Sequence, residues 1–316
     1  MKKHLLRLAF INGLLFLSIC IFAQEYSDFY FTRVNGENGL SESNVKAILQ
    51  DSYGFMWFGT KNGLNRYDGT SILQFDCDDL EEGTGNHNIG ALFEDKERNL
   101  WVGTDRGVYI YNPAVDVFKR FKIASSEGIT LDNWVAEILS DSLDNIWVLI
   151  PDQGLFRYKD GKVHHYSLID KDNLKNNNPE CICINEQGEV WVGTSGIGLF
   201  KYNYRDDNFE QYLTDRMGRS LIDKTIISIC FQKENAILGI HEGDLLKYNT
   251  RTDELSEVSF LGEKKTFLRD VMCFGDEIWV GSLHGIFIIN EKENNVIYVY
   301  LECHNNQKQQ ETSKRK

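Results

Sequence analysis

Two series of short polar clusters lie between apolar runs of this 316-residue chain, and they contain the residues best suited to chemistry. One series is Lys61 and Asn62, Asp105 and Arg106, Asp152 and Gln153, His241 and Glu242, and Leu283 and His284. The other is Asn44, His87 and Asn88, Asn133 and Trp134, Asn177 and Asn178, and Lys224. Planar polar groups bond to hydroxyls, and an aromatic ring covers the apolar side of a sugar, so the set fits saccharide recognition. Trp134 is the sharpest candidate because the other tryptophans hold a repeated core position. His87, Lys61, Arg106, His241 and His284 join it as candidate ligand contacts. His164 and His165 fall on an expected outer strand and read as surface residues. Bond-breaking chemistry has no such set: there is no glycine-rich phosphate loop, no His-Glu-x-x-His and no nucleophile elbow. Nor is there Cys-x-x-Cys spacing, so no catalytic residue, metal or cofactor is expected.

The elements that position these clusters repeat. Residues 45–69, VKAILQDSYGFMWFGTKNGLNRYDG, read as three strands joined by two turns. Asp51 can accept from turn amides and Gly54 can take positive φ. The pattern returns around Trp101, Trp147, Trp191, more faintly Leu238, and Trp279, at spacings of 44, 46, 44, 47 and 41 residues from Trp57 onward. Asp51, Asp95, Asp141, Asn185 and Gln232 sit six residues before the first five anchors, and these acids are expected to be structural turns rather than catalysts. A period in the forties with four strands per unit is that of a β-propeller blade, with a solenoid or sandwich as the alternative. Fourth strands are expected at residues 72–75, 117–121, 208–213 and 296–300. Phe29 to Arg33 looks like one more fourth strand with no unit before it, which would belong to a seventh blade whose other strands the chain does not supply. The expected fold is therefore all-β: six repeats plus an orphan strand, six-sevenths of a ring, either a fragment of a longer protein or six blades closed under strain.

Net charge is −13, and the first 23 residues carry Lys2, Lys3 and Arg7 without an acid. The acidic remainder has no basic stripe, which argues against nucleic acid. Residues 1–23 have the basic start and short apolar run of an export signal. Residues 24–302 form the expected propeller and 303–316 a polar tail. Export would put the remaining cysteines in an oxidising compartment. Cys181 and Cys183 point to one face of a strand and cannot easily bridge each other; most of the six are expected to act as small buried hydrophobes.

Asn38-Gly-Leu-Ser41, Val45 to Asp51, Gly54-Phe-Met-Trp57, Gly59-Thr60 and Gly63-Leu-Asn-Arg-Tyr-Asp-Gly69 closely resemble the two-component regulator propeller repeat. That repeat builds the periplasmic sensor region of hybrid two-component system proteins of Bacteroides-type bacteria. The resemblance implies a periplasmic domain that recognises a glycan-derived oligosaccharide and works with the remainder of the receptor and a second copy of it. It implies no enzyme activity in this segment, since the kinase, receiver and DNA-binding parts of the family have no counterpart here. The alternatives are a secreted propeller glycosidase or polysaccharide lyase, and a structural propeller without a ligand site.

Overall fold

The computed structural model describes residues 33–75, 88–122, 125, 128–168, 178–259, 266–293 and 295–300. It divides into two compact units, residues 1–34 and 35–316, and every described strand belongs to the second. The export signal, most of the orphan strand, the polar tail and His87 lie outside the described residues.

Apart from a short 3-10 turn at Gly36–Asn38, the described residues are all strand and connection. The first sheet is β1 (Val45–Gln50), β2 (Met56–Thr60), β3 (Gly63–Tyr67) and β4 (Ile72–Phe75), and the second is β5 (Ile89–Glu94), β6 (Leu100–Thr104), β7 (Gly107–Asn112) and β8 (Val117–Arg120). The third is β9 (Glu137–Ser140), β10 (Ile146–Ile150), β11 (Gly154–Lys159) and β12 (Lys162–Tyr166). The fourth is β13 (Pro179–Ile184), β14 (Val190–Ile197), β15 (Leu199–Asn203) and β16 (Asn208–Tyr212). The fifth is β17 (Ile222–Gln232), β18 (Asn235–Ile240), β19 (Leu245–Asn249) and β20 (Glu254–Glu257), and the sixth is β21 (Leu268–Phe274), β22 (Glu277–Ser282), β23 (Gly285–Asn290) and β24 (Asn295–Tyr300). Every sheet is an antiparallel meander in sequence order; the fourth and fifth are also joined by Ser195↔Thr225 and Ile197↔Ile222 into one eight-stranded sheet.

Antiparallel strands joined by tight turns bury both faces only by stacking on other sheets, and each sheet does stack on the next. Five hydrophobic clusters fill the five interfaces, one of them built from Trp57, Leu64, Ile89 and Val102 between the first and second sheets. Close approach is set by glycine two residues after the tryptophan. A Cβ on Gly59 would lie 2.6 Å from Ile89, on Gly103 2.6 Å from Val135, and on Gly193 2.7 Å from Ile226. At Gly281, in the sixth sheet, the nearest atoms belong to Asp270 of the same sheet at 3.7 Å. Trp279 is correspondingly only half-buried, and Met272 and Phe274 beside it are 53% and 70% exposed. At the other end Ile48 of β1 is 62% exposed. Among the described residues, then, the first and sixth sheets each have a face that no other sheet covers.

The fifth anchor differs from the sequence reading. Ile237, not Leu238, pairs with Cys230 and Lys247 as Trp57 pairs with Leu49 and Arg66. The β17–β18 turn, like the β21–β22 turn, is one residue shorter in register than those of the first four sheets, which shifts the alignment by one. Gln232 therefore leaves the turn-acceptor role and donates weakly across to Gly275 O and Glu277 O, at 3.4 Å each.

Cys230 and Cys273 form a disulfide between β17 and β21, with Cα atoms 5.7 Å apart. Cys181 is buried and free, and Cys183 is half-buried and free. The expected role as small hydrophobes thus holds for the latter two and not for the bridged pair. Cys230 faces forward onto the next sheet and Cys273 faces back, an offset that equal repeat spacing does not reveal. The bridge closes 43 residues of chain, so replacing both cysteines by serine should lower unfolding free energy by about 2–4 kcal/mol. Urea melts with and without reductant would show it; superimposable curves for the oxidised and reduced wild type would rule it out.

Candidate functional site

The first strand of each sheet is its inner strand, and successive inner strands β1 and β5, β5 and β9, β13 and β17, and β17 and β21 lie against one another. The starts of these strands lie beside the turns between second and third strands, so both gather at one end of the stack, its mouth. The turns share one construction. Thr60 Oγ1 donates to Gly63 O at 3.0 Å and accepts from Asn62 N at 3.1 Å. Thr104 Oγ1 does the same with Gly107 O and Arg106 N, and Ser282 Oγ with Gly285 O and His284 N. Gly63 and Gly107, at φ +110° and +103°, sit in the left-handed region that β-carbons avoid. The Thr/Ser-x-x-Gly signal therefore makes a rigid loop whose tip residues face solvent.

Lys61, Arg106 and His284 are exposed on such tips, each on its own turn. His241 is half-buried on the β18–β19 turn, its ring 5.2 Å from that of Phe267. Trp134 is half-buried too, but its surroundings are occupied. The ammonium of Lys46 lies 4.5 Å above its ring and donates to Asn88 Oδ1 at 3.0 Å. A Cβ on Gly90 would come within 2.5 Å of the Trp134 ring. Trp134 thus fills the notch left by a glycine in the second sheet and carries a cation on its face. His164 is exposed on β12 as expected, while His165 is half-buried, with Nε2 2.6 Å from Gln153 O.

Several residues at the mouth escaped the sequence reading. The inner strands of five sheets carry a bulge at one repeated position, occupied by Lys46, Gly90, Glu180, Ile227 and Arg269. A bulge leaves one residue unpaired and re-aims it, which is why Lys46 reaches forward over the next two sheets. Burial raises the carboxyl pKa of Glu180; His241 opposes the rise and Asp152 adds to it. One step deeper, Glu137 Oε2 accepts from Ile182 N of the next sheet at 2.9 Å. Burial, reduced by that bond and reinforced by Asp270, pushes the Glu137 carboxyl up to about 7. Ser228 Oγ makes the matching link between the fifth and sixth sheets, donating to Asp270 at 2.6 Å and accepting from Val271 N at 3.1 Å. Aligning the residue after each first inner-strand position would have found the bulge column; alternation alone could not, because the bulge breaks it. No group of His, Cys, Asp and Glu among the described residues could hold a metal ion.

Four-stranded meanders stacked through their inner strands define a β-propeller. Residues 39–62 and 83–106 match the model for the two component regulator propeller. Over 54 residues the chain is 46% identical to "Histidine kinase P4" of Formosa agariphila, a match covering 17% of this chain and 4% of that protein. Its fold is similar to those of the extracellular domains of the hybrid two component systems BT3049 and BT4673 of B. thetaiotaomicron. The TM-scores are 0.68 and 0.65, with 22% identity in each case, over 87% and 80% of this chain. The chain spans 37% and 36% of those structures. Among the described residues no helix is long and apolar enough to cross a membrane.

Proposed function

We propose that this chain is the ligand-sensing propeller of a hybrid two-component regulator, placed in the periplasm, where it recognises a glycan-derived oligosaccharide and passes occupancy to the remainder of the receptor and to a second copy of it. The observation that carries the reading is the repeat itself, matched at residues 39–62 and 83–106, in a chain whose polar groups stand on rigid turns at one mouth. Binding without chemistry is what such a mouth supports: its groups are spread over separate turns, and those that meet, Lys46 with Trp134 and His241 with Phe267, form contact surfaces. A secreted glycosidase or lyase would need an acid and a base converging on one bond, and Glu180 with Asp152 is the pair to watch. Calorimetric titration of the purified chain with oligosaccharide pools, alongside a product assay, separates the readings. Heat without new reducing ends is expected. Turnover would replace the sensor by an enzyme, and the absence of both would leave a scaffold.

A further inference from the structure

The residues that precede the repeat-equivalent Val45, Ile89, Val135, Pro179, Ile226 and Leu268 are Asn44, Asn88, Trp134, Asn178, Thr225 and Phe267, so two of the six positions hold an aromatic ring. The two rings differ in what covers them. Trp134 is capped by Lys46 and abuts Gly90. Phe267 is 50% exposed, and its contact is the tilted ring of His241. Both backbones are held: Leu283 N donates to Phe267 O at 3.1 Å and His241 N to Thr225 O at 3.0 Å. A phenyl face kept in water on fixed backbone is a surface awaiting an apolar partner. Half-buried Glu180 holds in the fourth sheet the bulge position from which Lys46 of the first reaches the aromatic ring two sheets on, and Phe267 is the equivalent ring two sheets from Glu180; His241 and Asp152 act on its carboxyl. The hydroxyl of Thr266, the preceding residue, is buried without a hydrogen bond among the described residues.

We propose that the ligand-contacting sector of the mouth is that of the fourth to sixth sheets, where Phe267 and His241 stack on a pyranose ring and Glu180 accepts its hydroxyls, and that the sector selects neutral over acidic saccharides. This deepens the sensor reading above and rests on it. A pyranose has an apolar face of C–H groups that matches an exposed phenyl ring. Its hydroxyls make charge-assisted hydrogen bonds to a carboxylate, which are stronger than bonds between neutral groups. A uronate in the same place would set its carboxylate against half-buried Glu180, where like charges repel more strongly than in open water. Sequence reasoning pointed to Trp134 because it lies outside the repeated core position of the other tryptophans, yet Lys46 already occupies its face.

The test is calorimetric titration of the whole chain with cellotetraose, mannotetraose, β-1,4-galactotetraose and tetragalacturonate, repeated on Phe267→Ala, Glu180→Gln and Trp134→Ala, each first checked by thermal melting. Binding of a neutral tetrasaccharide, weakened roughly tenfold or more by Phe267→Ala and by Glu180→Gln, is the expected result. Loss on Trp134→Ala with none on Phe267→Ala would move the platform and overturn the inference while leaving the sensor reading intact. So would binding of tetragalacturonate alone. Silence from all four sugars and from the wider pools would remove the sensor reading together with the sector built on it.

Discussion

Trp147→Ala should lower unfolding free energy by about 4–5 kcal/mol, whereas the same change at Trp279 should cost less than about 2 kcal/mol. The two residues occupy equivalent places in their sheets, so the contrast isolates what the neighbouring sheet contributes. Trp147 is fully buried, with Tyr202 edge-on at 4.8 Å, Tyr166 at 5.6 Å and Phe209 at 5.9 Å, and its Nε1 donates to Asp141 Oδ2 at 2.9 Å. Removing it empties a cavity between the third and fourth sheets that stiff strands cannot collapse into, and it takes from Asp141 Oδ2 one of its three donors. Trp279 donates to Glu277 at 2.9 Å within its own sheet, and its half-exposed ring rests on a face no following sheet covers among the described residues. Urea unfolding of both variants measures the difference. Equal losses would mean that Trp279 is as enclosed as Trp147, contradicting the uncovered face.

That contrast marks where the sequence was legible. Period, strand count and strand boundaries were readable because the units repeat one packing: apolar residues on both faces of the middle strands, glycine at the point of closest approach in all but the third sheet, and in the first three sheets a turn acid under the tryptophan indole. β4 matches its expected bounds, and β8, β16 and β24 agree within a residue. The anchor of the fifth sheet was misplaced because a turn shortened by one residue leaves no compositional trace. The Cys230–Cys273 bridge was invisible because it joins residues that are not repeat-equivalent. The mouth was legible at the turn tips, where Thr/Ser-x-x-Gly marks the loop, and illegible at Lys46, Glu180 and Arg269. A bulge re-aims those residues without changing the pattern of residue types around them. Phe267 was not singled out, because its type is that of the apolar residues around it and only its exposure distinguishes it.

Asp141→Asn should cost about 4 kcal/mol, and Asn145→Glu added to it should recover more than about 1 kcal/mol. Asp141 is buried and accepts from Leu143 N, Asn145 N, Asn145 Nδ2, Trp147 Nε1 and Tyr204 OH. An amide in its place keeps one acceptor oxygen and turns an NH₂ toward the Asn145, Trp147 and Tyr204 donors. The fourth sheet shows how the chain manages asparagine at the same position. Asn185 Oδ1 accepts from Gln187 N and Glu189 N, while its Nδ2 donates to Glu189 Oε2 at 2.8 Å, so an acid four residues on supplies what the amide lacks. The arrangement is incomplete: Trp191 Nε1 is buried without a hydrogen bond among the described residues, near enough to Glu189 to help hold that carboxyl below its usual range. The double variant copies this pair, so its partial recovery tests hydrogen-bond matching rather than charge alone. The effect is also linked to pH. Burial pushes the Asp141 carboxyl up, but the donors from Trp147, Asn145 and Tyr204 outweigh it and hold its pKa below the ordinary carboxylate value. A group depressed on folding stabilises the folded state above its unfolded pKa, near 4, and that contribution is lost as pH falls through the lower folded value. The gap in urea midpoint between wild type and Asp141→Asn should therefore be full at pH 7 and narrow below pH 4; a gap that stays constant would place the loss in packing and not in the carboxylate.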